Sequence, residues 1–180
     1  WPQQLRLAHR LDSNTSGVVV LCRKKFSASK VQPQFEGSGV KKRYRCLVHG
    51  HPPEDEFEST AAISPKTRPA GGRFIEAGGL PAHTEFTVLE RLEGGTSLVE
   101  ARPITGRTNQ IRIHLWDLEF PIVGDPMYLP DKATRSKQTL SPDDPPMCLH
   151  AYSIEFTHPI SEERVVYKAD LPDWYSSTEQ

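Results

Sequence analysis

The stretch HRLDSNTSG at residues 9–17 is the most informative part of the sequence, and the apolar run VVVLC at residues 18–22 follows it at once. It places Asp12 between Arg10 and a Thr-Ser-Gly turn. The apolar run predicts a buried strand, which would hold the Asp12 carboxylate rigidly, as an active site requires. Asp, Ser, Asn and Thr also bond to nearby backbone groups, so a purely turn-forming role for Asp12 is the alternative.

The composition is typical of one soluble globular domain over residues 1–180, because 36% hydrophobic residues suffice for a core. No apolar run approaches the roughly 20 residues that span a bilayer, so we expect no membrane association. The cysteines, Cys22, Cys46 and Cys148, are odd in number and show no CxxC spacing. They indicate reduced, buried thiols rather than disulfides or a zinc site.

The net charge of −1 hides an uneven distribution. Residues 1–50 carry ten Lys or Arg and two acidic residues, whereas the remaining 130 residues carry 12 basic and 21 acidic ones. A local basic surplus favours a polyanionic partner, since neutralised phosphates release counterions. A solvated charged face is the equally simple explanation.

Hydrophobic periodicity predicts an α+β fold with a mainly antiparallel sheet and two or three helices. Gly94 and Gly95 mark the turn of a hairpin. We expect a short helix capped by Ser27, and surface loops at 64–81 and 129–147, the second of them mobile. The predicted strands are 41–50, 57–63, 84–90, 96–101, 148–156 and 164–169, and a second helix begins near Thr108.

Polar residues crowd the junction between the predicted strand at 96–101 and the following helix. They are Arg107, Asn109, Gln110 and Arg112. Such density serves either a functional site or the bonding of a helix end, and the residues alone do not decide between the two.

Four blocks resemble the RluA-like family of RNA pseudouridine synthases, and they occur in the family's order. One block alone would be weak, but the ordered set is specific and covers nearly the whole chain. The blocks are HRLD with TSG at 9–17, KRY at 42–44, GRTNQIRIHL at 106–115 and GDP at 124–126.

The resemblance implies a mixed, mainly antiparallel sheet with a few helices flanking a central cleft. It also implies isomerisation of uridine to pseudouridine in a structured RNA, either ribosomal or transfer RNA. The base is detached from C1′, turned over and rejoined through C5. The family uses neither a metal nor an organic cofactor, and His49 and His51 are too isolated to suggest a metal site. We expect an intracellular location, in the cytoplasm or an organelle. The motifs do not specify the target uridine.

The resemblance also implies three catalytic residues. Asp12 matches the catalytic aspartate, which acts as a nucleophile at an anomeric carbon or stabilises positive charge there. Arg112 matches the basic residue that pairs with this aspartate, and such a pair would lower the aspartate's pKa. Tyr44 matches the active-site tyrosine, which stacks on uracil and assists proton movement.

The expected RNA-binding residues are Arg10, Arg107, Asn109, Lys42 and Arg43. Arg10 matches the position that holds the flipped nucleotide's place in the helix, where a planar cation recovers part of the stacking energy. Asn109 is a departure, because the family usually has His after Gly-Arg-Thr. Asn forms hydrogen bonds as His does, but it carries no charge.

The family has further strands before HRLD, so we expect an N-terminally incomplete catalytic domain, a monomer with poor stability in isolation. A catalytically inactive RNA-binding module of the same fold is the alternative function. A carbohydrate-active enzyme is the third, but it would need a second carboxylate. Asp125, the one other acid inside a block, has the Gly-Asp-Pro setting of a turn.

Overall fold

The computed structural model describes residues 4–37, 39–67, 72–136 and 139–176. These residues form short terminal elements and a large central sheet. The strands are β1 (Arg6–Leu7), β2 (Ser16–Gly17), β3 (Leu21–Cys22), β4 (Lys41–His49), β5 (Glu56–Ser59), β6 (Thr84–Leu92), β7 (Thr96–Pro103), β8 (Leu149–Thr157) and β9 (Arg164–Lys168). The helices are α1 (Lys25–Glu36), α2 (Gln110–Asp117) and α3 (Asp173–Ser176).

The central sheet has seven strands in the order β2-β8-β4-β7-β6-β5, with β9 also paired to β8. All pairs are antiparallel except β2 with β8. The α+β prediction is confirmed, and so are the hairpin of β6 and β7 and the pair of C-terminal strands. Alternating side chains made these strands predictable, since successive residues point to opposite faces of a sheet.

The prediction of one buried strand at 18–22 is wrong. Only Leu21 and Cys22 are in strand conformation, pairing with β1, and Val19 and Leu21 are 40% and 47% exposed. The Val18 N–H bonds to the carbonyl of Ala151 in the central sheet, whereas the Val20 carbonyl accepts from Ala8 beside β1. The run therefore crosses from one sheet to the other.

Helix α1 begins at Lys25 rather than near Ser27, and Lys24 precedes it without a side-chain cap. Pro33 lies inside the helix, although it lacks the N–H of a regular turn. Packing decides the outcome, because Ala28 and Val31 are buried in a cluster with residues of β3 and β8.

The main core lies beside α2, which packs against β6 and β7. Leu115 of α2 joins Cys46, Val48 and Val99 of the sheet there, all fully or almost fully buried. Cys22, Cys46 and Cys148 are buried free thiols, as predicted. In the predicted surface loop at 64–81, Ile75 packs against core residues, and in the loop at 129–147 Met147 does so. Residues 68–71 and 137–138 of these loops lie outside the described structure.

Candidate active site

A cavity of about 360 Å³ lies where residues 9–15, strand β4 and the start of α2 meet. Its volume falls in the range of small-molecule sites. Of the residues predicted for the site, all except Arg43 line it. The lining includes Arg10, Asp12, Lys42, Tyr44, Arg107, Asn109 and Arg112.

The turn at residues 12–15 presents the Asp12 side chain to this cavity. The backbone N–H of Thr15 donates to the Asp12 carbonyl at 3.1 Å, and Asn14 has a positive φ of 66°. Gly17 pairs closely with Ala151, whose carbonyl oxygen would lie 2.3 Å from a Cβ at that position. The backbone of Asp12 thus forms the turn that the sequence suggested, while its carboxylate remains available for another contact.

The Asp12 carboxylate accepts a hydrogen bond from the backbone N–H of Asn109, with 3.0 Å between N and Oδ2. Burial raises the pKa of Asp12 above its usual range, although this N–H, Arg112 and Arg10 act in the opposite direction. Arg112 does act to lower the pKa of Asp12, as expected, but the net shift is upward because desolvation of the carboxylate outweighs the nearby positive charges.

The guanidinium of Arg112 pairs with Asp125 instead of Asp12. Its Nε and Nη2 lie 2.7 and 2.8 Å from the two carboxylate oxygens of Asp125, and its Nη1 donates to Asn109 Oδ1 at 3.0 Å. The exposed fractions of the two paired side chains are 2% and 0%. Among the described residues no direct ion pair joins Arg112 to Asp12, so the predicted pairing is wrong in its direct form.

Asp125 is the residue that sequence reasoning missed. Its Oδ1 also accepts hydrogen bonds from the backbone N–H groups of Met127 and Tyr128, so it forms the expected turn as well as the ion pair. A signal was available: Arg112 stands between Ile111 and Ile113 in a helix whose side chains are mostly buried. A buried arginine requires an acidic partner.

Tyr44 projects from β4 toward the same region as Lys42, two residues earlier. Burial raises the pKa of the Tyr44 phenol well above its usual range, and the nearby Asp12 carboxylate adds to the shift. Burial also lowers the pKa of Lys42. Tyr44 therefore stays a neutral hydrogen-bond donor at physiological pH.

The remaining predicted contacts differ in their surroundings. Arg10 is exposed, and its side chain has no hydrogen bond or ion pair with the described residues, although its charge acts on Asp12. Arg107 donates from Nε to the carbonyl of Pro81 at 2.9 Å, so it also supports local structure. Arg43 lies away from the cavity and pairs with Glu100.

Two further residues of the cavity wall were not predicted as site residues, although Gln110 belongs to the polar group noted before the second helix. The imidazole of His9 stacks on Phe35, with 4.5 Å between ring centroids and 7° between planes. Its Nε2 accepts the N–H of Val20. Gln110 anchors the loop before α2, since its Oε1 accepts from the Thr105 hydroxyl and from the Arg107 N–H. These contacts hold two parts of the cavity lining in place.

Within the described ranges, no group of three or more His, Cys, Asp or Glu residues is arranged to hold a metal ion. The helices of the same ranges are all too short or too polar to cross a bilayer.

Comparisons with known proteins relate the chain to one group of enzymes. The model of the RNA pseudouridylate synthase family matches residues 2–116. The chain is 38% identical over 164 residues to the dual-specificity RNA pseudouridine synthase RluA of Pasteurella multocida. The aligned region covers 90% of this chain and 71% of that protein. It is 34% identical to the ribosomal large subunit pseudouridine synthase D of Neisseria meningitidis, covering 93% of this chain and 45% of that protein.

Comparison with solved structures relates the fold to the same group of enzymes. The solved structure of human RNA pseudouridylate synthase domain containing 1 superposes with a TM-score of 0.77 at 30% sequence identity. The match covers 94% of this chain and 70% of the human one. Similarity of sequence and similarity of fold therefore point to the same family.

Proposed function

The chain belongs to the RNA pseudouridylate synthase family and isomerises uridine to pseudouridine in RNA, and we propose that Asp12 is the nucleophile of this reaction. The observation that carries the proposal is the setting of Asp12. Its carboxylate lines the cavity, and its Oδ2 is held by the Asn109 N–H. Its Oδ1 accepts no hydrogen bond from the described residues and is left to face a substrate.

The reaction rearranges bonds without net gain or loss of atoms. Asp12 attacks C1′ of the ribose, and the electron pair of the C1′–N1 bond leaves with N1 of the uracil. The base then turns, C5 attacks C1′, and the bond to Asp12 breaks. The proton on C5 leaves and N1 takes up a proton, which completes pseudouridine. A carboxylate suits the first step because it is anionic and is a good leaving group in the second.

Tyr44 and Arg112 support this chemistry in different ways. The neutral phenol of Tyr44 lies close enough to Asp12 for the carboxylate to raise its pKa further. It can stack on the detached uracil and pass a proton. Arg112 contributes a permanent positive charge near Asp12 that offsets part of the cost of its burial.

The substrate we propose is a structured ribosomal or transfer RNA whose target uridine is flipped out of its helix. Flipping costs a few kcal/mol of stacking and pairing energy. Arg10 is exposed at the cavity and unpaired among the described residues, so its planar guanidinium is available to stack in the gap. Lys42 and Arg107 line the same cavity and can contact the phosphates.

The test compares three forms of the protein on total cellular RNA, with pseudouridine mapped by sequencing. They are the wild type, Asp12→Asn, and Glu93→Gln as a control at an exposed hairpin position. We expect new pseudouridine with the wild type and the control, and none with Asp12→Asn. Identical RNA from the wild type and Asp12→Asn would refute the proposal, and salt-sensitive RNA binding alone would then favour an inactive binding module.

A further inference from the structure

We propose that Asn109 is a positioning residue for Asp12, through which the buried pair of Arg112 and Asp125 acts on the carboxylate. The inference rests on the proposed role of Asp12. It replaces the expectation that Asn109 contacts RNA, because its side chain is directed inward. Asn109 is only 7% exposed, whereas Arg10 in the same cavity wall is exposed.

Three hydrogen-bonding groups of Asn109 connect it to the helix and the site, and its side chain also bonds Tyr128. Its backbone N–H donates to Asp12 Oδ2 at 3.0 Å, and its Oδ1 accepts from Arg112 Nη1 at 3.0 Å. Its carbonyl accepts the N–H of Ile113 at 2.9 Å, the first bond of α2. One residue thus links the helix, the catalytic carboxylate and the buried cation.

The backbone of Asn109 is in the left-handed region, with a φ of 57°. Asn adopts this conformation more readily than most residues with a side chain. A residue preceding a helix usually bonds its side chain to the first turn, but Asn109 makes no such cap. Its side chain is committed to Arg112 instead, which indicates that the position serves the site rather than the helix end.

The two contacts of Asn109 depend on each other. Arg112 is fixed by both oxygens of Asp125, so its Nη1 is a rigid donor. That donor holds the Asn109 side chain, and the orientation of the residue sets the direction of the N–H that Asp12 accepts. The cation therefore orients Asp12 through Asn109, although no described ion pair joins Arg112 to Asp12.

Asn109→Gly separates the two contacts. Glycine keeps the positive φ and the N–H toward Asp12 but removes the acceptor for Arg112. We expect the single-turnover rate on RNA to fall about 10- to 100-fold, since a hydrogen bond to a charged group is lost, while the RNA Kd stays within about twofold. Glu119→Gly is the matched control, because Glu119 also has a positive φ, of 72°, and lies exposed just beyond the other end of α2. We expect this variant to turn over at the wild-type rate.

Asn109→Asp gives a second, independent signature. Aspartate keeps the acceptor and tolerates the backbone, but its charge lies near Asp12. The acid limb of the pH–rate profile should therefore move to higher pH, with the rate recovering toward wild type above it. This variant keeps the test decisive if thermal melts show that Asn109→Gly does not fold.

Two results would overturn the inference. One is a wild-type rate for folded Asn109→Gly or, if that variant does not fold, an unshifted pH–rate profile for Asn109→Asp. The other is a loss of RNA affinity equal to the loss of rate, which would make Asn109 an RNA contact. An inactive wild type would instead contradict the proposed role of Asp12, so the two failures are distinguishable.

Discussion

Arg112→Met should destabilise the protein strongly, because it leaves Asp125 as an unpaired buried carboxylate. The exposed fractions of the two side chains are 2% and 0%, and both oxygens of Asp125 bond to the guanidinium. Breaking such a pair costs about 3–5 kcal/mol. Total stabilities are about 5–15 kcal/mol, so this is a large fraction. In a domain of this size the loss corresponds to a fall in Tm of roughly 6–20 °C.

The assay is a double-mutant cycle by urea unfolding at pH 7. Asp125→Asn retains an oxygen for the N–H groups of Met127 and Tyr128 but removes the charge. The double variant should therefore be more stable than Arg112→Met alone, with a coupling energy above about 1 kcal/mol. A loss below about 1 kcal/mol for Arg112→Met, or strictly additive effects, would refute the reasoning.

The same substitution separates catalysis from binding. Where Arg112→Met is still folded, we expect turnover to be abolished and the RNA Kd to be nearly unchanged, since the side chain is buried behind Asn109. An equal loss of affinity would show that Arg112 binds phosphate instead.

Three further predictions concern the residues around the cavity. Gly17→Ala should lower the free energy of unfolding in urea far more than Gly94→Ala, because a Cβ at Gly17 would lie 2.3 Å from the Ala151 carbonyl oxygen and one at Gly94 meets nothing within 4 Å. Asp12→Asn should raise the Tm at pH 7, because it removes a buried charge. The raised pKa means that protonated Asp12 stabilises the fold fully below about pH 3.8, and this contribution is lost as the pH rises through the raised value. The difference in Tm between Asp12→Asn and the wild type should therefore vanish in acid. Tyr44→Phe should slow single turnover without changing the RNA Kd, and wild-type activity should show no alkaline loss from Tyr44 ionisation up to about pH 10.

Much of the sheet could be predicted from the sequence because its signals are local. Strand β4 alternates polar and apolar side chains, and Gly94 and Gly95, with φ values of 85° and 80°, turn the hairpin of β6 and β7. The run at 18–22 could not be placed correctly, because its role depends on two sheets that are distant in sequence.

The sequence predicted which residues form the candidate site, but not the hydrogen bonds and the ion pair that connect them. Asp12, Tyr44 and Arg112 do line one cavity. Arg43 is excluded by strand geometry that the sequence already contained, since neighbours on a strand point to opposite faces and Tyr44 faces the cavity.

The pairing of Arg112 with Asp125 was harder to predict from the sequence. The Gly-Asp-Pro setting of Asp125 indicates a turn, and the family resemblance paired Arg112 with Asp12. The left-handed backbone of Asn109, which directs its N–H to Asp12, was not accessible at all. The ion pair forms only where α2 packs against the loop at 121–128.

Loss of the C5 hydrogen tests the central claim most directly. Uridine in the RNA is labelled with tritium at C5, and release of tritium to water is measured in a single turnover with wild type and with Asp12→Asn at matched RNA occupancy. The proposed mechanism predicts release by the wild type and none above background by Asp12→Asn, which should still bind the RNA. Equal release by both proteins would contradict the role of Asp12 as the nucleophile.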